Sequence, residues 1–349
     1  MAKTEKKSFH YGEIKKRLQT EGPKRLYMLR GEEDYLRDAF LGELRSICLE
    51  EGTDTFNYHR IQGAVLNMSA LTEAVEAMPF MGEHTLIEVR DFDINKVSAY
   101  DPEALKALLN DLPEWATVVF VFAPGYAPDN RLTAVKTIKK LGVDIEFSSP
   151  GDSELLAWVR REVGKLGKTI DGITIQHFLW VCGTRMNTLI PEIVKVCGVA
   201  EGEEVTKAHI DAVAKRAPET TIFNLTDALG EKQFNKAAAL LADLLADRDE
   251  PPQKQIAMVS EQYRRLYVTR VAIDSRRGDE YISECIPEIG NRGFIISNLK
   301  RAARNYSRER LARAVSLCVQ CDFEMKSSGP EPAELMKELI LKLAMDQAV

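Results

Sequence analysis

Long apolar runs are absent from this sequence. No stretch approaches the ~18 residues that a helix spanning a bilayer requires, which excludes a helical membrane protein. Cysteine is sparse, six in 349 residues, and aromatics amount to 7%, so the chain is not a disulfide-stapled secreted scaffold. An excess of positive charge is also missing. With 47 Lys and Arg against 53 Asp and Glu the net charge is −6, and the molecule as a whole is not built to attract nucleic acid. The opening residues lack the apolar core of a signal peptide, so the expectation is a cytoplasmic protein with no membrane partner. What is present is ordinary for a protein with a proper core: 45% apolar and 29% charged residues, at a length that predicts two or three domains.

From about Lys24 to Phe147, short β-rich runs at 25–29, 56–61, 85–89, 117–122 and 143–147 alternate with helical patterns at 35–49, 68–77, 102–109 and 129–141. This alternation predicts βα units around a mostly parallel sheet. The run 117–122 is apolar throughout, as suits a central strand buried on both faces. The turn cluster Ser148-Ser-Pro-Gly-Asp-Ser153 marks a boundary near 150. Beyond it, short amphipathic helices are predicted at 152–166, 174–181 and 188–197, with Gly167, Gly172, Gly183 and Gly198 as helix stops and Thr206 as an N-cap. After Pro218 no period-2 pattern remains, and helical spacing fits 231–246, 252–276, 292–304, 307–325 and 332–345. The chain therefore reads as α/β plus all-α, with domains at 1–150, 151–217 and 218–349.

An α/β domain followed by a small helical module makes a nucleotide site the first thing to test. A phosphate loop needs Gly-x-x-x-x-Gly-Lys-Ser/Thr between a strand and a helix. After the first strand the sequence instead reads Arg30-Gly31-Glu32-Glu33-Asp34-Tyr35-Leu36, with one Gly, no Lys and three carboxylates where a polyphosphate would sit. The segment Gly164-Lys-Leu-Gly167-Lys168-Thr169 is a decoy, since its glycines are too close and it ends a helix. No acidic pair for Mg²⁺ ends a buried strand; 85–89 runs into Arg90-Asp91. Cys318 and Cys321 read as two small core residues of one helix, and His177 as a core histidine. No catalytic residue, metal site or cofactor is expected.

Two features stand apart. Met78-Pro79-Phe80-Met81-Gly82 joins a helix to a strand, where a polar loop is the rule. Either the group tucks under the sheet as local core, or it protrudes as an apolar wedge for a partner protein. Separately, residues 260–313 carry 12 Lys and Arg against 7 Asp and Glu, a local +5 that leaves −11 for the rest. Arg301, Arg304 and Arg308 would share one helical face, with Arg264, Arg265, Arg276 and Arg277 on another helix. That surface reads as a solvated face or as a contact for a nucleic-acid backbone.

At this point the residues resemble a known family, the delta subunit of bacterial DNA polymerase III, a component of the sliding-clamp loader. Leu26-Tyr-Met-Leu-Arg-Gly31-Glu-Glu33-Asp-Tyr-Leu36 is similar to its opening strand and degenerate phosphate loop. Pro79-Phe80-Met81-Gly82-Glu83 is similar to its Pro-Phe-Phe-Gly-Glu tip, with Met in place of the commoner second Phe. Ile222-Phe223-Asn-Leu225-Thr-Asp227-Ala228-Leu and Asp322-Phe-Glu-Met-Lys326-Ser resemble the start of its collar and a motif near its C-terminus. The resemblance implies an AAA+-like architecture: a RecA-type α/β domain at 1–150, a small helical lid at 151–217 and a helical collar for oligomerisation at 218–349. It implies a subunit without ATPase or polymerase activity of its own, belonging to a holoenzyme that is a DNA-directed DNA polymerase. Its implied task is to bind the ring-shaped clamp (beta) and hold it open during DNA replication, alongside gamma/tau and delta-prime subunits and primed DNA. The tip residues implied in clamp binding are Phe80 and Met81, with Pro79 and Met78 beside them; a one-residue offset would make the pair Pro79 and Phe80. Arg301, Arg304 and Arg308 remain candidates for contact with DNA or a sister subunit. The alternatives are an active AAA+ ATPase of DNA metabolism, and a free-standing nucleic-acid adaptor, for which the pI of about 5.6 is too low.

Overall fold

The computed structural model describes residues 11–247, 250–289, 292–327 and 331–345. The chain divides into two compact units, 1–150 and 151–349. The first contains α1 (Tyr11–Glu21), β1 (Leu26–Gly31), α2 (Asp34–Cys48), α3 (Asp54–Asn57), β2 (Tyr58–Gln62), α4 (Met68–Glu76), β3 (Thr85–Arg90), α5 (Pro102–Asn110), β4 (Ala116–Val121), α6 (Thr133–Leu141) and β5 (Val143–Phe147). Its five strands form one parallel sheet in the order β2-β3-β4-β1-β5.

Burial dictates that order. All six residues of β4 are buried, and β4 lies between β3 and β1. β2, with no fully buried residue, is an edge. Alternation divides the two faces. Leu26, Met28, Ile87, Val89, Val118 and Phe120 join the cluster with Leu71 and Val75 of α4, Leu105 and Leu109 of α5, and Val135 and Ile138 of α6. Tyr27 turns the other way, its ring meeting Phe40 of α2 at 5.8 Å, and Phe40 meets Phe147 at 6.0 Å. Caps fix the helix starts. The Asn67 side chain accepts from Ala70 N at 3.1 Å, and Asp101 from Glu103 N and Ala104 N at 3.0 and 3.1 Å.

The second unit is helical: α7 (Asp152–Lys165), α8 (Gly172–Cys182), α9 (Met186–Val199), α10 (Lys207–Val213), α11 (Pro218–Gly230), α12 (Phe234–Ala246), α13 (Pro252–Asp274), α14 (Asp279–Cys285), α15 (Gly293–Ala303), α16 (Arg308–Lys326) and α17 (Pro332–Met345). The α13 helix is its axis, burying Ile256, Val259, Tyr263, Leu266 and Ala272 among α11 and α15–α17. The segments 151–217 and 218–349 lie in this one unit. Trp180 of α8 meets Phe223 of α11 edge-on at 4.5 Å, and Thr220 Oγ1 donates to Trp180 O at 2.5 Å. No helix among the described residues is long and apolar enough to cross a membrane.

The fold class is α/β plus all-α, as the sequence predicts, and several details differ. Phe56 belongs to the short helix α3, not to a strand. Gly167 and Gly183 do end helices, at φ +73° and +83°, but Gly172 opens α8 behind the Asp171 cap and Gly198 lies inside α9. His177 is not a core residue. It is half-buried, with Nε2 2.7 Å from Asp211 Oδ1. The decoy loop is an ordinary helix connection whose Lys168 Nζ is spent on Ala200 O and Gly202 O, at 2.8 and 2.6 Å. Cys318 and Cys321 are buried in the helical core, and burial pushes the Cys318 thiol up to about 12.

Candidate protein-binding tip

The connection from α4 to β3 decides between the two readings of the apolar loop. The group is not tucked under the sheet: Met78 is 77% exposed, Phe80 53% and Met81 76%, while Pro79 is half-buried. Because the sheet is parallel, a helix-to-strand connection lies at the end where strands begin, and a strand-to-helix connection lies at the opposite end. The tip and the β1–α2 loop therefore occupy opposite ends of the sheet.

Two residues that sequence reasoning missed hold the tip. Asn57, the last residue of α3, is 1% exposed. Its Oδ1 accepts from Phe80 N at 2.7 Å and its Nδ2 donates to Phe80 O at 3.0 Å, so one side chain satisfies both backbone groups of the tip residue. The Phe56 ring, itself 57% exposed, lies 4.9 Å from that of Phe80 and extends the apolar surface. Met81 adopts φ +51°, a left-handed kink that turns the chain toward β3. Gly52-Thr53-Asp54 is a readable helix start, but nothing in the sequence ties Asn57 to a residue 23 positions away.

At the other end of the sheet the position of a phosphate loop is filled by the protein itself. The chain passes from β1 to α2 through Glu32 and Glu33 alone. Gly31 has φ +125°, and a Cβ there would stand 2.2 Å from Phe147 O. Glu33 N donates to that same oxygen at 3.0 Å, while the buried Glu33 carboxylate caps α2, accepting from Tyr35 N at 3.2 Å. Arg30 is committed to Asp144 at 2.8 Å and Glu146 at 2.9 Å, and the buried Arg37 donates to Phe122 O at 2.9 Å. The helix N-terminus that attracts phosphate in a nucleotide-binding fold here holds a carboxylate of its own.

Glu88 on β3 is fully buried and ringed by cations. Arg90 Nε lies 2.6 Å away and Arg60 Nε 4.0 Å, and Arg45 and the Tyr58 hydroxyl donate to the other carboxylate oxygen. Burial alone raises the Glu88 pKa, but the Tyr58, Arg45 and Arg90 hydrogen bonds outweigh it and hold the carboxyl below its ordinary value. A depressed folded-state value gives stability that is present above the unfolded-state pKa and lost as pH falls through the folded one. Glu88→Gln should therefore cost about 2 kcal/mol at pH 7, and the gap to the parent should shrink at an acidic pH below the depressed folded-state value. Denaturant titrations at the two pH values check this; an equal gap at both would mean that the ionised carboxylate is not what stabilises.

The arginines from the basic stretch do not form one face. Arg301 lies in the last turn of α15, Arg304 caps that helix, and Arg308 opens α16 after a turn. Arg301 Nη1 is 2.9 Å from Asp227 Oδ2 and 4.0 Å from Glu231. Arg301, Arg304 and Arg308 are all exposed, and the neighbouring Tyr267 raises the Arg308 pKa. Nor do the other four share a helix: Arg264 and Arg265 lie on α13 and pair with Glu261, but Arg276 and Arg277 follow its end.

Two family models match this chain in succession. The model for the DNA polymerase III delta subunit covers residues 27–148, and the model for its C-terminal domain covers 219–343. The chain belongs to the DNA polymerase III delta-subunit family. Within that family, DNA polymerase III subunit delta of Bacillus subtilis (strain 168) is 24% identical over 327 residues, spanning 90% of this chain and 91% of that one. The solved structure of the Bacillus subtilis DNA clamp loader delta protein (YqeN) matches with a TM-score of 0.59 at 22% identity, covering 96% of this chain and all of that one. At that identity the structural likeness speaks to fold.

Proposed function

We propose that this family member binds the ring-shaped sliding clamp through its apolar tip and biases the ring toward an open state, so that it can be loaded onto primed DNA during replication. The observation that supports this most is the exposed tip itself: three large apolar side chains on a loop whose backbone is held from behind by a buried amide. Phe80 and Met81 are the anchoring pair. Met78 flanks them, and half-buried Pro79 serves as the stiff base, which disfavours the one-residue offset. Binding biases a ring between closed and open only by the difference in affinity for the two forms, so the tip must fit the open form better. In this reading 1–150 is a degenerate AAA+-like domain, 151–217 a lid and 218–349 the collar that joins gamma/tau and delta-prime neighbours in the cytoplasm. The ion pairs of Arg301 favour a part in the collar's own packing. Arg304 and Arg308, both exposed, are the better candidates for DNA or a sister subunit.

The geometry of the β1–α2 loop favours a subunit that does not hydrolyse ATP, because Glu33 caps the helix where a phosphate would bind. The isolated chain should bind its cognate clamp and show no ATP binding at about 1 mM nucleotide, a threshold corresponding to about −4 kcal/mol. Equilibrium titrations with clamp and with labelled ATP test both points. Micromolar ATP affinity would favour an active ATPase, and absence of clamp binding would remove the proposed function.

A further inference from the structure

We infer that Asn57 is a positioning residue for the tip, holding Phe80 and Met81 in the partner-ready conformation before any partner arrives; this rests on the proposed clamp-binding reading. An exposed eight-residue connection from α4 to β3, with no regular structure of its own, would ordinarily sample many conformations. Ordering it on contact would oppose binding by about 1–2 kcal/mol for each residue fixed. Here the ordering is already done. The Asn57 amide reproduces a two-way backbone pairing with Phe80, in the manner of a strand partner, from a side chain that is itself buried. It lies next to the first residue of β2, which pairs in register with Leu86 of β3, so the clasp rests on the sheet.

Three neighbouring features agree with this role. The kink at Met81 places a non-glycine residue in the left-handed region, a conformation that costs roughly 1 kcal/mol and persists only where its surroundings impose it. Gly82 leaves room for the clasp, since a Cβ there would come within 3.0 Å of Asn57 Nδ2. Phe56, one residue before Asn57, supports the Phe80 ring from the side. The same short helix thus supplies a polar hold on the tip backbone and an apolar brace for its side chain.

Two variants reach the clasp from its two sides. Asn57→Ala removes the amide, and Gly82→Ala crowds it from the tip. The readouts are affinity for the cognate clamp and native-state hydrogen exchange, with the Phe80→Ala/Met81→Ala double variant in parallel. Asn57→Ala should weaken clamp binding about 10-fold, as expected for two hydrogen bonds, and Gly82→Ala about 3-fold. In Asn57→Ala the Phe80 amide should exchange at least about 10-fold faster, while the amides of Leu86–Val89 keep parent rates. Unchanged affinity in both variants, with the double variant impaired, would overturn the positioning role and leave the proposed function standing. Weakened binding accompanied by faster exchange throughout β3 would also overturn it, by reducing Asn57 to a general structural residue. Normal binding by the double variant would remove the clamp-binding reading, and the inference with it.

Discussion

Replacing Phe80 and Met81 together by alanine is expected to lower affinity for the cognate clamp about 100-fold while leaving the melting temperature nearly unchanged. Burying two large apolar side chains is worth roughly 3–6 kcal/mol by transfer. Part of that is already realised, since Phe80 is only 53% exposed and its ring rests on Phe56. About 3 kcal/mol remains for a partner to supply, which corresponds to the stated factor. Stability should barely respond, because neither side chain belongs to the buried core of the sheet domain and exposed positions usually shift stability by less than about 0.5 kcal/mol. Surface plasmon resonance with the clamp immobilised, beside a thermal melt, separates the two quantities. A double variant that binds like the parent would show that the tip is not the anchor. One that binds poorly and melts early would mean that the tip stabilises the fold.

The second large effect concerns the opposite end of the sheet. Gly31→Ala is expected to destabilise the first unit by about 4 kcal/mol or more, enough to abolish soluble expression of a marginally stable domain. Two penalties coincide at this position. The residue has φ +125°, which side-chain-bearing residues rarely adopt, and its Cβ would meet Phe147 O, C and N at 2.2, 2.7 and 2.7 Å. Those are backbone atoms of a paired strand, so no rotamer change relieves the contact. Gly125 is the natural control, with φ +76° and nothing within 4 Å of its Cβ position. Gly125→Ala should cost only about 1 kcal/mol, the conformational share by itself. Urea titrations of the two variants would separate the terms; a similar loss in both would show that the junction of β1 and β5 yields to the added methyl.

The sheet was legible in the sequence because its strands are apolar where they are buried on both faces. Thr117–Phe122 reads as a central strand from composition alone, and the strand lies at 116–121. Elements without contrast between two faces were not legible. The α11 helix buries ten of its thirteen residues, including Thr220, Thr226 and Asp227, so no polar stripe reveals its period. The α1 helix has the reverse defect, with only Ile14 and Leu18 buried in a run rich in Lys and Glu. At the site, Met78–Met81 drew notice because apolar residues in succession are unusual in a loop. Composition left open whether they point inward or outward, and that depended on Asn57, a long-range partner no local pattern signals. The shared face of Arg301, Arg304 and Arg308 fails for a simpler reason: their spacing runs across Arg304–Ser307, where the helix has stopped.

The Glu33 cap has a consequence for control. A helix N-terminus left open to a nucleotide changes its electrostatic state each time that ligand arrives or leaves, and structure coupled to it can follow. Here that position is taken by a carboxyl group of the chain itself, put in place when the chain folds. Under the proposed function this subunit offers the same grip at every moment, so it cannot serve as the clock of a loading cycle. When the ring is seized and when it is released must be decided by whichever neighbours expose or cover the tip.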